Sequence, residues 1–190
     1  LSMARSQGKT MIAGISMNYS FLIETIGLSN QDYLISSLNH DQTMKLYTYV
    51  KSMMAKIVEN EPFKSLAEEM GLKLYSREIK ALTDSNSIWT ISFESGKFDS
   101  KHFRLAVADE VGELRNDEGI SKITSGQVNT DGSRFIEIST AYTVPNVPFH
   151  QEQKKLIEIM ENDDDRAGDD QLCLIWCQDD LRSEERRVGK

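Results

Sequence analysis

Segments with the apolar spacing of helices alternate with short apolar strands along most of this chain. The clearest helical segments are 8–26 and 41–58, and the most continuous apolar strand is 103–108. A helix that connects two strands lets them lie side by side in the same direction. The alternation therefore predicts an α/β domain in which helices cover both faces of a mostly parallel sheet. A length of 190 residues provides room for one such domain.

Shorter segments complete the predicted order. The remaining predicted elements are helices at 63–70, 120–123 and 151–160, strands at 32–38, 135–138 and 171–177, and alternating strands at 72–75, 79–82 and 88–93. The last three predict a β-rich insertion before the strand at 103–108. In the first helix, apolar side chains recur every three or four residues, which predicts one buried face. The residues assigned to that face are Met11, Ile12, Ile15, Tyr19, Leu22, Ile23 and Ile26.

The charge balance restricts the partners of the chain. It contains 22 Lys and Arg against 30 Asp and Glu, a net charge of −8 at pH 7. This balance argues against a surface that binds nucleic acid over its whole area, although it is compatible with a local basic rim. No stretch has the length and apolar character of a membrane span. Cys173 and Cys177 are too few for a disulfide framework or a zinc site, and we interpret them as reduced thiols of a cytosolic protein.

The last nine residues differ from the rest of the chain. Arg182–Lys190 contains one apolar residue and carries a charge of +2, against −10 for residues 1–181. The segment resembles read-through of adapter or vector sequence, and we exclude it from the predicted domain, 1–181. The alternative is a disordered basic tail.

Gly8-Lys9-Thr10 opens the first predicted helix and has the pattern that ends a phosphate-binding P-loop. A loop entering a helix amino terminus points backbone N–H groups at an anion, and the helix dipole favours negative charge there. Lys9 is expected to reach the β- and γ-phosphates of a nucleotide, and Thr10 to place its hydroxyl on Mg²⁺. The tripeptide alone is a weak indication, because Met3 replaces the first glycine of the usual pattern. The strand that should precede the loop is expected to be missing, since the chain starts too late to include it.

The strand at 103–108 ends in Asp109-Glu110. This is the pattern of a Walker B element, in which the Asp binds Mg²⁺, directly or through water, and the Glu polarises the attacking water. The alternative is a strand followed by an acidic turn. The carboxyl ends of parallel strands share one edge of a sheet, so the P-loop upstream strengthens the Walker B interpretation.

A third motif, Ile138-Ser139-Thr140-Ala141, ends the strand at 135–138. A small hydroxyl residue at this place can sense the γ-phosphate and relay hydrolysis, and Thr140 is the candidate for that role. A plain strand-to-loop turn is the alternative.

Together, the three motifs resemble the ATPase domain of the large terminase subunit of tailed bacteriophages, the motor that packages DNA into the prohead. That family has a deviant Walker A with an Arg before Gly-Lys-Ser/Thr, often without the first glycine, and residues 5–10 match it. Residues 107–113 resemble its Walker B, and 138–142 resemble its coupling motif, although Tyr142 departs from the usual last glycine. The resemblance covers roughly residues 4–180. It implies a P-loop NTPase fold of the RecA-like (ASCE) type.

The resemblance also implies the residues of the site. The nucleotide would lie on a loop formed by Ala4, Arg5, Ser6, Gln7, Gly8, Lys9 and Thr10. Glu110, Arg5 and Thr140 would be catalytic, with Arg5 at the γ-phosphate. The metal ligands would be Thr10 and Asp109. Arg134 and Arg115 are candidates for an arginine finger that acts on a neighbouring subunit, although each could instead form an ion pair within the chain.

The implied function is ATP hydrolysis that drives double-stranded DNA into the prohead in the host cytoplasm. ATP and Mg²⁺ would be the cofactors. DNA, the portal protein, the small terminase subunit and further copies in a ring would be the partners, with no membrane involved. The family's upstream adenine-binding segment and its downstream nuclease domain would lie outside this chain. Two alternatives remain: a helicase-like nucleic-acid motor, and a non-catalytic fragment that keeps the fold without hydrolysing ATP.

Overall fold

The computed structural model describes residues 2–3, 8–98, 101–140, 147–161, 172 and 174–176, and these form eight strands and five α-helices. In chain order they are β1 (Ser2–Met3), α1 (Lys9–Tyr19), β2 (Asp32–Ser36), α2 (His40–Ile57), α3 (Phe63–Glu69), β3 (Leu72–Leu74), β4 (Ile79–Ala81), β5 (Asn86–Thr90), β6 (Phe103–Asp109), α4 (Glu118–Gln127), β7 (Arg134–Ile138), α5 (Pro148–Glu161) and β8 (Ile175–Trp176). A π-helical turn, Ser20–Glu24, continues α1, and a 3-10 turn, Val111–Glu113, follows β6.

Six strands form one sheet in the order β3-β4-β5-β2-β6-β7. Strands β5, β2, β6 and β7 pair in parallel with their neighbours. Strands β3 and β4 form an antiparallel hairpin at one edge, and β4 pairs with β5 in antiparallel orientation. Helices α1 and α2 pack on one face of the sheet around the larger apolar core, and Ile123 of α4 packs on the other face beside Leu34 and Ala106. The predicted α/β fold with a mostly parallel sheet between helices is therefore confirmed, as is the β-rich insertion before β6.

Strand β1 leads directly toward the P-loop. It pairs in parallel with β8, and Ser2 also forms a parallel bridge to Ser139 at the carboxyl end of β7. The expectation that this strand would be missing was wrong for Ser2 and Met3. Two residues suffice to form a strand here because their backbone lies between β8 on one side and Ser139 on the other. The pairing brings the chain to the carboxyl edge of the parallel strands just before Gly8.

Helix α1 turns a different side inward from the one predicted. Ala13, Gly14 and Met17 are buried, whereas the side chains assigned to the buried face are largely exposed. The exposed fractions are 52% for Met11, 38% for Ile12, 48% for Ile15, 55% for Tyr19 and 61% for Ile26, and only Leu22 is fully buried. Close packing against α2 explains the difference, because a Cβ on Gly14 would lie 2.7 Å from the Met53 sulfur. A small residue is therefore needed at position 14, where α1 approaches α2 most closely.

Several boundaries follow the sequence expectations. The side chain of Asn39, a residue type favoured at helix starts, caps α2 by accepting a hydrogen bond from the Gln42 N–H at 3.0 Å. Gly27 ends the first helical segment with a φ of 78°.

No helix in the described part of the chain has both the length and the apolar character needed to cross a membrane. Both cysteines and residues 182–190 lie outside the described residues.

Candidate active site

Helix α1, which follows the predicted P-loop, begins at the carboxyl edge of the sheet, near Asp109. Gly8 is the residue before the helix, and its φ of 87° is a left-handed conformation that favours glycine. Gly8 has no side chain to cap the first turn of α1, and backbone N–H groups at a helix amino terminus can bind an anion. Lys9 is buried and Thr10 is half-buried. The other predicted loop residues, Ala4, Arg5, Ser6 and Gln7, lie outside the described residues.

Asp109 is the last residue of β6 and lies within electrostatic range of Lys9. Burial and the negative charge of Glu110 raise the pKa of the Asp109 carboxyl to about 6, while a hydrogen bond from the Glu110 N–H and the charge of Lys9 oppose this rise. Residues 100 positions apart are thus brought to one place, as the Walker A and Walker B interpretation requires.

These residues suit a magnesium nucleotide. The Thr10 hydroxyl and the Asp109 carboxylate are oxygen donors, which Mg²⁺ prefers, and Lys9 supplies a positive charge for phosphate. The described residues contain no group of three or more His, Cys, Asp or Glu side chains that could hold a metal. With Thr10 and Asp109 as protein ligands, Mg²⁺ would be held by one carboxylate, one hydroxyl and phosphate oxygens, an arrangement common in nucleotide enzymes.

Glu110 adopts a left-handed backbone conformation, with φ 58° and ψ 33°. For a residue other than glycine this conformation costs about 1–3 kcal/mol, and active sites are among the places where such residues cluster. Its N–H donates to Asp109 Oδ1 at 2.9 Å. The hydroxyl of Thr140, which follows β7, donates to Glu110 Oε2 at 3.2 Å. The structure therefore brings together two of the three residues predicted to be catalytic.

The two candidate arginine fingers lie in different places. Arg134 is at the amino end of β7, opposite the edge that carries Thr140, where it forms an ion pair with Glu24 and donates to Ser20 Oγ at 3.2 Å. Burial raises the pKa of Glu24, but hydrogen bonds from Ser20 and Arg134 outweigh it, and the net shift is downward. Arg115 is exposed on the segment after the Val111–Glu113 turn and lines a cavity of about 440 Å³.

Comparison with known proteins identifies the family. The sequence model described as "Terminase large subunit, ATPase domain" matches residues 1–158. The chain belongs to this family. The fold of this terminase ATPase domain resembles the crystal structure of the HK97 bacteriophage large terminase, with a TM-score of 0.63 and 24% identity over 86% of this chain and 33% of the HK97 chain.

A second solved structure shares the fold of the terminase ATPase domain. The large terminase ATPase domain of Thermus phage P74-26 matches with a TM-score of 0.55 and 13% identity, over 76% of this chain and 60% of that one. The chain thus spans about a third of the HK97 terminase and three fifths of the Thermus phage domain. No curated protein sequence gives a significant match.

Two buried serines of the terminase ATPase domain, Ser37 and Ser139, were not predicted from the sequence to belong to the site. Ser37, just after β2, donates its hydroxyl to the Asp109 carbonyl at 3.1 Å. Ser139, just after β7, accepts a hydrogen bond from the Gly112 N–H at 3.0 Å. Ser37 lies at the end of the predicted strand 32–38, and Ser139 comes just after the predicted strand 135–138, so their place at the carboxyl edge was a usable indication. Ser139 lies within the third motif, in which Thr140 was the predicted functional residue.

Proposed function

We propose that this terminase ATPase domain binds ATP with Mg²⁺ and hydrolyses it to move double-stranded DNA into a phage prohead. The observation that carries the proposal is the hydrogen bond from Thr140 to Glu110, next to Asp109 and Lys9. A candidate base, a candidate phosphate sensor, a metal carboxylate and a phosphate-binding lysine thus lie at one edge of the sheet. Family membership favours this packaging motor over the helicase-like motor.

Each residue has a distinct role in the proposed reaction. Lys9 and the backbone N–H groups of the P-loop bind the phosphates, and Thr10 and Asp109 hold Mg²⁺, which when bound withdraws negative charge from the phosphate oxygens. Glu110 accepts a proton from water while the water oxygen bonds to the γ-phosphorus. The bond from that phosphorus to the bridging oxygen breaks, and its electron pair leaves with ADP. Arg5 would stabilise the charge on the transferred group.

Thr140 links this chemistry to the state of the nucleotide. Its hydroxyl bonds Glu110 in the structure, and a γ-phosphate oxygen would compete for the same hydroxyl. Binding of ATP would then break the hydrogen bond between Thr140 and the Glu110 carboxylate, the group proposed to accept the water proton. Loss of phosphate would restore the hydrogen bond.

The wider assembly belongs to the same proposal. Portal protein, small terminase subunit, DNA and a ring of identical subunits are the proposed partners, and packaging would take place in the host cytoplasm. Arg115 lies at the same edge as Glu110 and is exposed, so it is the better placed of the two arginines for reaching a neighbouring subunit. Arg134 would first have to leave Glu24.

The proposal is tested by replacing Glu110 with its amide. Glu110→Gln keeps the shape of the side chain and removes the base, so kcat should fall at least about 10²-fold while ATP affinity is retained. Glu113→Gln is the matched control, because Glu113 is an exposed carboxylate three residues further on in the same turn. Normal turnover by Glu110→Gln together with lost turnover by Asp109→Asn would place the base elsewhere. Absence of turnover in the parent protein would support the non-catalytic alternative.

A further inference from the structure

The turn that carries Glu110 depends on side chains from two other strands. Glu110 is one of three non-glycine residues with positive φ among the described residues, and the other two, Asn30 and Ser85, lie in turns away from β6. A strained backbone of this kind persists only where its surroundings determine it. The contacts around Asp109, Glu110 and Gly112 show which groups do so.

Ser37 acts on the peptide unit that joins Asp109 to Glu110. Its hydroxyl donates to the carbonyl of that unit at 3.1 Å, while the N–H of the same unit donates to Asp109 Oδ1 at 2.9 Å. Both ends of the peptide plane are therefore hydrogen bonded. Ser37 is itself held, since its N–H donates to Thr43 Oγ1 at 3.1 Å and its carbonyl accepts from the Phe93 N–H at 2.9 Å.

Ser139 acts two residues after Glu110. Its hydroxyl accepts from the Gly112 N–H at 3.0 Å and donates to the Thr140 carbonyl at 2.9 Å. The side chain is fully buried, so no water competes for these hydrogen bonds. Ser37 and Ser139 thus hold the turn from the β2 side and from the β7 side of β6.

We propose that Ser37 and Ser139 are positioning residues for Glu110 in ATP hydrolysis. Their hydroxyls keep Glu110 left-handed, with its carboxylate toward Thr140. Without either hydroxyl the turn relaxes toward a less strained conformation, and the carboxylate moves away from the water it must deprotonate. A displacement of about 1 Å at a catalytic group can lower turnover about 10²-fold. This inference rests on the proposed function, in which Glu110 is the base.

The chain supplies a matched control in Ser36. It precedes Ser37 and is equally buried, but its hydroxyl has no hydrogen-bond partner among the described residues. Ser37→Ala and Ser139→Ala should each lower kcat about 10-fold or more and leave KM for ATP within about twofold of the parent value. Ser36→Ala should leave both constants unchanged.

A second measurement separates positioning from a general loss of structure. Placed in the Glu110→Gln background, Ser139→Ala should cause no further loss of kcat, because its effect passes through the Glu110 carboxylate. A further loss of similar size in that background, or a parallel loss of ATP affinity, would overturn the inference. If the alanine variants do not fold, Ser37→Cys and Ser139→Cys retain the size and weaken the hydrogen bond. Parent-like kcat in those variants would also overturn it.

The two proposals fail in different ways. If Glu110→Gln abolishes turnover while the serine variants keep it, Glu110 remains the base and the positioning inference is wrong. If Glu110→Gln hydrolyses ATP normally, the proposed function of Glu110 is wrong whatever the serine variants do.

Discussion

Lys9 shows how the role of a residue depends on its surroundings. It is buried, lies at the start of α1 and lowers the pKa of Asp109 through its charge. In the proposed function Lys9 meets the phosphates of the nucleotide, because the amino terminus of a helix attracts negative charge through its backbone N–H groups and its dipole.

Loss of Lys9 is expected to prevent nucleotide binding. Lys9→Ala removes the charge that meets the phosphates, so calorimetry should detect no ATP binding under conditions where the parent saturates. Lys45→Ala is the control, because Lys45 is an exposed lysine on α2. Unchanged ATP affinity in Lys9→Ala would reject the P-loop assignment.

The ion pair between Arg134 and Glu24 is expected to make a small contribution to stability. The pair is partly exposed, with side-chain exposures of 49% and 23%, so we expect Arg134→Ala to lower stability by about 0.5–1 kcal/mol. The folded-state pKa of Glu24 lies below its ordinary value, so this stabilisation is present above that value and is lost as the pH falls through the folded pKa. Thermal melts of the two proteins should therefore differ at pH 7 and converge as the pH falls through the folded-state pKa of Glu24. If Arg134→Ala instead loses ATP turnover while its Tm at pH 7 equals that of the parent protein, Arg134 acts as an arginine finger.

At the scale of elements, β7 has different roles at its two ends. Its carboxyl end leads into Ser139 and Thr140, and its amino end carries the ion pair with Glu24. Between them, Glu137 faces Glu152 of α5. Burial and the negative charge of Glu152 raise the pKa of Glu137 to about 7. The contact between β7 and α5 therefore favours the protonated form of Glu137.

This carboxyl pair predicts a pH-dependent stability. An acid whose pKa rises from 4.5 to about 7 on folding binds an extra proton in the folded state, so stability falls as the pH rises through that range. Glu137→Gln should raise Tm at pH 8, by about 2–4 °C for each kcal/mol gained, and leave it unchanged at pH 4. Glu158→Gln on the exposed side of α5 serves as the control. A uniform shift of Tm at both pH values would contradict the explanation.

Two properties of the whole molecule bear on DNA binding and turnover, namely its net charge and the share of a large terminase that it spans. The net charge is −8, and the chain spans about a third of the HK97 terminase. Phosphate contacts dominate affinity for DNA and require local positive charge. A subunit that depends on an arginine from its neighbour turns over slowly when it is alone.

We therefore expect the 190-residue chain to bind double-stranded DNA weakly and to hydrolyse ATP slowly. Turnover per subunit should rise with protein concentration if a neighbour completes the site. Mixing Arg115→Ala subunits with Lys9→Ala subunits should restore part of the activity, because one subunit supplies the P-loop and the other the arginine. No recovery on mixing would exclude Arg115 as an arginine finger, and turnover independent of concentration would show that neighbours are not needed.

Features that depend on residues close together in the chain could be predicted from the sequence. The apolar periodicity indicated the helices and strands, Asn39 capped α2, and the P-loop and Asp109-Glu110 had recognisable patterns because each depends on neighbours in sequence. The inward side of α1 was not predictable, since both sides are apolar and the choice was made by close packing at Gly14. The bonds from Ser37 to Asp109 and from Arg134 to Glu24 join residues 72 and 110 positions apart. Only the tertiary structure decides such contacts, because they form when the sheet brings distant strand ends together.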